Sequence, residues 1–341
     1  MTSDLTTDRV AAPRDDREFG RLTEPFRREL LAHCYRMLGS LDEAEDVVQE
    51  TYLRAWRSYH RFEGRSSLRV WLYRIATNAC LTALRRHSRR VLPSGLTAPA
   101  TEPAMPLVGA DPDIAWLQPV PDAAVLPESD DPAVIVAARE NLRLALIASL
   151  QYLPGRQRAV LILRDVLAFP AAEVAAMLDT STAAVKSTLQ RARARLDQVG
   201  PTADDIVEPT APEARALLDG YIAAFENSDT AILERILRHD AALEPMPSTT
   251  WFAGRASCLP FLATPDVIGS PGDWRMVPTT ANGQPAAVVY RRVRDGSHQA
   301  FGVAVLTVTT TGIARIVLFG DPALVPRFGL PPTHPVTVHG P

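Results

Sequence analysis

Apolar residues recur at intervals of three and four positions along the first ninety or so residues, which predicts amphipathic helices. One helix is predicted to begin after Ser40, because Ser40 and Glu43 have the spacing of a capping box. Its apolar face comprises Leu41, Ala44, Val48, Thr51 and Ala55. A second helix is predicted to begin near residues 66–67. Its apolar face comprises Leu68, Leu72, Ile75, Ala79 and Ala83. We therefore expect this part of the chain to be all helix.

The segment from Pro170 to Leu196 has the pattern of a helix-turn-helix. Pro170 is placed to open a short helix, and residues 179–181 are placed to turn the chain into a longer one. The inward-facing positions are Val174, Leu178, Val185, Leu189, Ala192 and Leu196. The opposite side of the longer helix carries Ala183, Ser187, Gln190 and Ala194, flanked by Lys186, Arg191 and Arg193. Small and polar side chains suit base edges and cations suit phosphates, so this face predicts contact with a DNA major groove. An ordinary solvated helix face is the other interpretation.

Two breaks divide the chain. Residues 93–138 contain nine prolines, which interrupt helices and remove backbone donors, so an extended and mobile linker is expected there. A second break is expected at Gly200–Pro212. Beyond it, two helical patterns, at about residues 212–226 and 230–238, precede alternating runs that are typical of strands. These runs lie at residues 241–246, 274–279, 286–293, 300–309 and 312–319. Helices followed by strands predict an α+β domain.

The net charge of −3 hides a strong segregation of charge. Residues 17–92 hold 15 basic and 9 acidic side chains, and residues 139–196 hold 9 basic and 4 acidic ones. Between these two basic blocks, residues 93–138 carry seven acidic side chains and no Lys or Arg. Basic blocks favour a polyanionic partner, because neutralising phosphates releases counterions.

Several classes of protein are excluded by what the sequence lacks. No run approaches the ~20 apolar residues of a membrane span, and the polar N-terminus has no signal core, so a cytoplasmic protein without a membrane partner is expected. Cys34, Cys80 and Cys258 have no CxxC spacing and are expected to be free thiols. A metal would need His33 and His87 beside the first two cysteines. Because cysteine is a common core residue, neither a metal site nor a cofactor is predicted.

Three motifs follow one another in a characteristic order. They are EAEDVVQETYLRAW (Glu43–Trp56), RVWLYRIATNACLTALRR (Arg69–Arg86) and PAAEVAAMLDTSTAAVKSTLQRARARL (Pro170–Leu196). Together they resemble the extracytoplasmic-function sigma factors over about residues 20–200. The chain departs from that family at Asp179, where a turn glycine is usual, and at Pro170, where a polar residue often opens the helix. Both departures are tolerable, because Asp accepts a left-handed conformation and Pro suits a first helical turn.

The resemblance implies roles for particular residues. The acidic helix would dock on the clamp helices of the polymerase's largest subunit through Asp46, Gln49 and Glu50. The basic helix would capture and unpair the promoter −10 element, with Arg69, Arg74, Asn78, Arg85 and Arg86 as candidates. The helix-turn-helix would bind the −35 element, with Lys186, Ser187, Gln190, Arg191 and Arg193 as candidates. Trp71 and Tyr73 would either stack on an unpaired base or lie in the core, and for Trp71 the core is favoured.

A second resemblance concerns the C-terminal part. The sequence WFAGRASCLPFL (Trp251–Leu262) resembles the strand-then-helix entry of SnoaL-like domains, which have a cone-shaped α+β fold around an apolar pocket. Some relatives use that pocket for isomerase, cyclase or hydrolase chemistry. His239 with Asp240, or Asp273, are the acid–base candidates here. All three stand near predicted element ends, where capping or exposure to water is expected, so regulation is expected rather than catalysis.

The predicted chain is therefore multidomain, with two all-α sigma domains followed by an α+β SnoaL-like domain. The expected boundaries are sigma domain two at 17–92, an acidic linker at 93–138, sigma domain four at 139–200 and a regulatory domain at 212–330. The expected function is that of an alternative sigma factor, not an enzyme, which binds core RNA polymerase and promoter DNA. An anti-sigma factor and a small ligand of the C-terminal domain are further partners compatible with the family. Two alternatives stay open: a helix-turn-helix regulator that acts without core polymerase, and an enzyme with a DNA-binding module.

Overall fold

A computed structural model describes residues 16–64, 66–86, 88–102, 107–109, 111–199 and 206–334. The chain divides into two compact units, of which the first contains residues 1–87 and 150–199 and the second contains residues 88–149 and 200–341. Residues 88–149 are called the connector below. Within the described ranges, no helix is both long and apolar enough to cross a membrane.

The helices are numbered along the chain through both units. Their bounds are α1 Asp16–Thr23, α2 Arg27–Leu38, α3 Leu41–Ser58, α4 Leu68–Ala83, α5 Asp122–Val125, α6 Pro132–Glu140, α7 Leu144–Leu150, α8 Gly155–Leu161, α9 Ala171–Met177, α10 Thr182–Val199, α11 Pro212–Glu226, α12 Thr230–Ile236, α13 Arg255–Leu262 and α14 Pro265–Ile268. A π-helical turn at Ile162–Val166 continues α8.

Local signals define the helix ends in the first unit. The Ser40 hydroxyl caps α3 by accepting a hydrogen bond from the backbone N of Glu43 at 3.2 Å. Ser67 caps α4 in the same way, accepting from the N of Val70 at 3.2 Å. The α2 helix ends at Gly39, whose φ of 71° lies in the left-handed region that glycine adopts without strain. Both predicted helix starts are confirmed.

The predicted buried face is correct for α3 and only partly correct for α4. The five predicted apolar positions of α3 are all buried. On α4, Leu72 and Ala79 are buried as predicted, whereas Leu68, Ile75 and Ala83 are only half-buried. The remaining buried positions are Tyr73, Ala76, Thr77 and Cys80. The buried face is displaced because α4 packs against α2 and α3 and also against α8 and α9.

The second unit is built on one six-stranded sheet. Its strands are β1 Leu237–Met246, β2 Phe252–Ala253, β3 Trp274–Ala281, β4 Gln284–Arg292, β5 His298–Thr309 and β6 Gly312–Phe319. The order is β2-β1-β6-β5-β4-β3, with β1 and β6 parallel and the other neighbours antiparallel. Register shifts at 289/290 in β4 and 307/308 in β5 mark irregularities that bend such a sheet.

The helices α11 to α14 pack on one face of this sheet. Buried side chains of α11, including Leu218, Tyr221 and Phe225, join Leu243 of β1 and Val289 of β4 in one hydrophobic core. The α11 helix has the predicted bounds, and every predicted strand overlaps an observed one. The predicted α+β class of the C-terminal domain is therefore confirmed.

The described parts of the proline-rich segment are packed against the C-terminal domain, so they differ from the mobile linker that the composition predicts. Near its start, the backbone N of Ser94 donates to the carboxylate of the buried Glu244 at 2.9 Å. Farther along, the N of Ala100 donates to the carbonyl of Trp251 at 2.8 Å, and the Trp251 indole N donates to the carbonyl of Thr97 at 2.8 Å. The backbone donors of Ser94 and Ala100 thus find partners in the C-terminal domain.

The far end of the connector is held by the turn between β3 and β4. The Asn282 side chain accepts a hydrogen bond from the N of Val120 at 3.0 Å and donates to the carbonyl of Leu142 at 2.9 Å. The N of Gly283 donates to Asp122 at 2.7 Å. These partners are 140–162 positions apart in sequence. Residues 139–149, which the sequence assigns to sigma domain four, therefore pack within the second unit.

The predicted break at residues 200–212 is described only from Ile206 onward. There the N of Val207 donates to the carbonyl of Val308 in β5 at 3.0 Å. Glu208 forms an ion pair with Arg139 of the connector at 3.0 Å. This stretch therefore also packs on the C-terminal domain.

Candidate nucleic-acid interface

The exposed side of α3 carries the acidic face that the sequence singles out. Asp46 and Gln49 are exposed, and Glu50 is half-buried. The Glu50 carboxylate accepts a hydrogen bond from the Arg54 Nε one turn later at 2.5 Å. The three predicted polymerase-contact residues therefore share one side of a helix whose opposite side is in the core.

Two large apolar residues extend this face and were not singled out from the sequence. Leu53 is 45% exposed and Trp56 is 51% exposed. Leu53 follows Gln49 by four residues and Trp56 follows it by seven, so all three lie on the same side of the helix. Large apolar side chains on an otherwise polar helix face are the signal that would have found them.

The basic candidates around α4 differ in their surroundings. Arg74, Asn78, Arg85 and Arg86 are exposed. Arg69 instead forms an ion pair with Glu29, in which the Arg69 Nε lies 3.0 and 3.1 Å from the two carboxylate oxygens. Its guanidinium also lies 5.1 Å from the ring centre of Tyr73 and 4.6 Å from that of Phe169. Arg69 is thus engaged by the protein itself in this arrangement.

The two aromatic residues of α4 have different environments. Tyr73 is fully buried, and its hydroxyl donates to the carbonyl of Glu29 at 3.4 Å. Trp71 is half-buried and packs against Phe62 with ring centres 4.9 Å apart. The indole also lines a surface pocket of about 260 Å³ together with Arg54, Ser58, Arg74, Ile75 and Asn78. Trp71 therefore has core contacts on one side and an open pocket beside it.

Within the first unit, α2 and α4 contact α8, and α4 also contacts α9, the first helix of the helix-turn-helix. The ring of Phe169 meets that of Tyr73 edge-on at 5.1 Å. The Asn78 side chain donates to the carbonyl of Met177, the last residue of α9, at 3.3 Å. Asn78, a candidate for promoter contact, thus already uses its amide NH₂ in a hydrogen bond to the helix-turn-helix.

A buried arginine lies at the centre of this contact. Arg158 of α8 is 3% exposed and donates to the carbonyl of Met37, near the C-terminal end of α2. Its other acceptors are Gln151 Oε1 at 2.7 Å, the Gln151 carbonyl at 3.0 Å and the Leu153 carbonyl at 3.2 Å. Burial lowers the pKa of Arg158 to about 10. The guanidinium therefore stays charged at neutral pH and faces the carbonyl end of α2, where a cation is favourable.

The helix-turn-helix has the predicted geometry. Asp179 adopts a φ of +50°, the left-handed conformation expected where the family has glycine. The Ser181 hydroxyl then accepts from the N of Ala184 at 3.1 Å at the start of α10. The predicted inward positions are buried except Leu196, which is half-buried. The predicted outer residues are all exposed, namely Ala183, Lys186, Ser187, Gln190, Arg191, Arg193 and Ala194.

The cations of α10 are not equivalent. Arg193 forms a bidentate ion pair with Asp165, with N–O distances of 2.7 and 2.8 Å. Arg191 donates to the hydroxyl of Thr188 at 3.2 Å, on its own helix. A DNA phosphate that approaches Arg193 must therefore compete with a carboxylate, whereas Lys186 and Arg191 are engaged by no carboxylate within the described part of the chain.

The C-terminal domain encloses a cavity of about 520 Å³ between its helices and its sheet. The three acid–base candidates are absent from the cavity wall. Asp240 pairs with Arg238 at 2.7 Å, and His239 beside it is exposed. Asp273 accepts from the N of Ser270 at 2.7 Å and pairs with Arg292 at 2.7 Å, and these contacts lower the pKa of Asp273.

The three cysteines are free and buried. Burial raises the pKa of Cys80, and it raises that of Cys258 to about 12. His33 is buried with its Nε2 2.9 Å from the Thr77 hydroxyl. His87 lies outside the described residues, and those residues contain no cluster of three or more metal-ligating side chains.

Two sequence families match the first part of the chain. Sigma-70 region 2 matches residues 22–90, which contain α2, α3 and α4. Sigma-70, region 4 matches residues 143–196, which contain the helix-turn-helix. The two matches correspond to the two basic blocks.

Curated relatives extend the match to nearly the whole chain. The ECF RNA polymerase sigma factor SigG of Mycobacterium tuberculosis is 49% identical over 322 residues, covering 94% of this chain and 86% of that protein. The ECF RNA polymerase sigma factor SigW of Bacillus subtilis is 27% identical over 53% of this chain and 88% of its own length. The chain belongs to the ECF RNA polymerase sigma factors. These relatives are named as sigma factors and not as enzymes.

A solved structure shares the fold. The crystal structure of the Mycobacterium tuberculosis extracytoplasmic function sigma factor SigJ aligns with a TM-score of 0.58 at 22% identity, covering 91% of this chain and 99% of that chain. Helical sigma regions followed by a C-terminal α+β domain are therefore an architecture that this chain shares with a sigma factor of known structure.

Proposed function

We propose that this sigma factor binds core RNA polymerase through α3, binds promoter DNA through α4 and α10, and is modulated by its C-terminal domain through the docked connector. The chain acts in the cytoplasm, where polymerase and promoters are found, and catalyses no reaction itself. The observation that best supports modulation is that the Asn282 side chain forms hydrogen bonds with both Val120 and Leu142 of the connector.

Polymerase binding is assigned to Asp46, Gln49 and Glu50, with Leu53 and Trp56 as apolar neighbours. The support is that all five lie on the exposed side of α3. Apolar side chains that continue a polar helix face match the usual composition of an interface, which combines apolar with polar contacts.

Promoter binding is assigned to the two basic surfaces. Around α4 the residues are Arg69, Arg74, Asn78, Arg85 and Arg86, and on α10 they are Lys186, Ser187, Gln190, Arg191 and Arg193. Gln190 is assigned to base reading, because an amide can form two hydrogen bonds with the N6 and N7 atoms that adenine presents in the major groove. Arg69 and Arg193 contribute once a phosphate replaces Glu29 or Asp165.

The absence of catalysis is proposed for the C-terminal domain as well. His239, Asp240 and Asp273 do not line the cavity, and the two carboxylates are held in ion pairs at the surface. A general acid or base must reach the substrate directly or through one water. Their positions support a domain that binds and regulates.

Modulation follows from what docking does to the chain between the two sigma regions. A free connector would let the regions separate as a flexible tether allows, whereas the docked connector fixes its two anchored ends. Region 4 begins at residue 143, between Leu142 and Leu144, whose backbone groups bond to Asn282 and Gln284. The C-terminal domain therefore holds the first residues of the region that reads the −35 element.

An Asn282→Ala variant of the full chain tests this proposal, with Asn227→Ala as its matched control. The first change removes two buried hydrogen bonds to the connector, whereas the Asn227 amide donates to Ala223 within α11. We expect faster hydrogen exchange across residues 120–144 and higher run-off transcription at saturating core polymerase for Asn282→Ala, and neither effect for Asn227→Ala. A released connector with unchanged transcription would overturn the proposal.

A further inference from the structure

A serine stands in the middle of a dense arginine cluster just after α4. The sequence of residues 85–90 is RRHSRR, so four arginines lie within three positions of Ser88. Residues 64–101 as a whole contain seven arginines and no acidic side chain. Among the serines and threonines of the sequence, only Ser88 has arginine at both the second and the third position before it. Protein kinases that select basic substrates recognise this charge pattern.

Ser88 is accessible to a modifying enzyme. Its side chain is exposed, and residues 88–90 form neither helix nor strand. The α4 helix ends at Ala83, and Arg85 and Arg86 follow it in a turn with their side chains exposed. Recognition clefts commonly bind a peptide as an extended segment. No helix therefore has to unwind before Ser88 enters such a cleft.

Other serines that lie near basic residues have hydroxyls with structural roles. The Ser67 hydroxyl caps α4 by accepting a hydrogen bond from the N of Val70. The hydroxyls of Ser58 and Ser187 donate to backbone carbonyls one turn earlier in their own helices, at 2.6 and 3.1 Å. Modifying any of these three would disturb a helix, whereas Ser88 lies outside every helix.

We propose that Ser88 is phosphorylated by a protein kinase that recognises arginines, and that the phosphate weakens DNA binding by the adjoining basic segment. In the transfer step, the Ser88 Oγ attacks the γ-phosphorus of a nucleoside triphosphate. An O–P bond forms while the bond from this phosphorus to the bridging oxygen breaks. The nucleoside diphosphate leaves with the electron pair, and the hydroxyl proton passes to a carboxylate base of the kinase.

The phosphate would change the charge of the arginine cluster substantially. It carries about −1.5 to −2 charges at neutral pH. Three residues of extended chain span at most about 11 Å, so all four arginines stay within roughly one Debye length, about 8–10 Å, of the phosphate. The phosphate therefore competes with DNA phosphates for the same guanidinium groups. This effect rests on the proposed function, in which Arg85 and Arg86 bind promoter DNA, whereas the modification itself does not.

The modification is tested on the full chain with ATP and the catalytic fragment of protein kinase C, which selects serines with arginines on both sides. Mass spectrometry should locate the phosphate at Ser88, and Ser88→Ala should lower its incorporation at least fivefold. The double change Arg85→Gln and Arg86→Gln should slow phosphorylation at least tenfold. The matched control, Arg215→Gln with Arg235→Gln at exposed positions of α11 and α12, should leave the rate unchanged. Preferential modification of another residue, or equal rates in the two double variants, would overturn the site.

The effect on DNA is measured by titrating the phosphorylated and the untreated chain with fluorescent single-stranded DNA at several salt concentrations. Loss of one or two phosphate contacts should lower the slope of log affinity against log salt by about 0.7–1.4, which weakens binding about four- to fourteenfold at 0.15 M salt. Kinase-treated Ser88→Ala should bind like the untreated chain.

An Arg74→Gln variant separates the two ways in which the DNA measurement can fail. Arg74 is an exposed DNA-binding candidate on α4 that lies 14 positions before Ser88. If Arg74→Gln weakens DNA binding and full phosphorylation of Ser88 does not, the proposed effect of the phosphate is wrong. If neither change weakens binding, the assignment of DNA binding to α4 is wrong, and the effect of the phosphate is overturned with it.

Discussion

Replacing Arg158 is expected to loosen the contact between the two sigma regions within the first unit. The perturbation is Arg158→Met, which keeps the length of the side chain and removes its donors. In the natural chain one donor crosses to Met37 of region 2, and the other hydrogen bonds stay within residues 151–158. Only the first bond contributes directly to holding the regions together.

The size of the effect follows from that single crossing bond. A hydrogen bond from a charged donor contributes about 1.5–3 kcal/mol net. Since 1.4 kcal/mol is a factor of ten, the ratio of open to packed molecules should rise by about 10- to 150-fold. The Tyr73–Phe169 and Asn78–Met177 contacts remain in the variant, so the packed state is weakened and not abolished.

Energy transfer between dyes at Arg57→Cys and Ala176→Cys measures this ratio in the full chain. Both positions are exposed, and the three native thiols are buried, so labelling is selective. Arg156→Met is the control, because Arg156 donates to Leu178 within region 4 at 2.7 Å. We expect lower transfer for Arg158→Met and unchanged transfer for Arg156→Met. Equal transfer in both variants, with both folded, would show that Arg158 does not hold the regions together.

Three further outcomes are expected. Charge reversal at Asp46 and Glu50 should abolish co-purification with core polymerase while unfolding free energies change by less than about 1 kcal/mol, and reversal at the exposed Asp219 should do neither. Gln190→Ala should change base preference in the −35 element by about 1–3 kcal/mol, whereas Lys186→Ala should weaken all sequences alike in gel-shift titrations. Burial, and to a smaller extent the charge of Arg36, lower the pKa of His33 to about 3. Between about pH 6.5 and 3, His33 therefore binds a proton in the unfolded chain but stays neutral in the folded chain. Stability should therefore fall by up to about 1.4 kcal/mol per pH unit between pH 6.5 and 3, and His33→Gln should flatten this slope in urea titrations.

The features that sequence predicts well are those with a local cause. Ser40 caps α3 through a residue three positions away, and Asp179 tolerates the turn conformation by its own chemistry. The bounds of α11 follow from Pro212 at its start and from a continuous apolar stripe. Each of these signals lies within one turn or one helix, so a single sequence contains all of it.

The features that sequence misses depend on distant partners. Proline content predicts that residues 93–119 lack long helices, and the described residues of this range contain none, but it does not reveal that the backbone N of Ser94 bonds to the carboxylate of Glu244, 150 positions away. Arg158 is one of the nine basic side chains counted in residues 139–196, and its position in the sequence does not show that it is buried against four oxygen acceptors. The buried face of α4 was misplaced because a second packing partner, α9, comes from about a hundred residues later.

In the proposed function, packing of the sigma regions and docking of the connector are two separate restraints on how far the regions can move apart. One hydrogen bond of Arg158 joins regions 2 and 4, and the bonds of Asn282 to Val120 and Leu142 shorten the free chain between them. The segment from residue 91 to residue 144, if released, is roughly fifty residues long and at about 3.3 Å per residue reaches about 165 Å. If the contact between the regions is loosened while the connector stays docked, the short free chain still keeps the regions close together. If the connector is released while the regions stay packed, the longer free chain does not separate them.

A double-mutant cycle distinguishes this arrangement from two independent effects. If both restraints must be relieved before the two promoter elements are engaged, Arg158→Met and Asn282→Ala should each raise run-off transcription modestly, and together they should raise it more than the product of the single effects. The two residues lie in different units and share no hydrogen-bond partner, so direct contact does not explain a coupling between them. Strictly multiplicative effects at saturating polymerase would show that connector docking and region packing act on different steps, and that the C-terminal domain does not limit separation of the sigma regions.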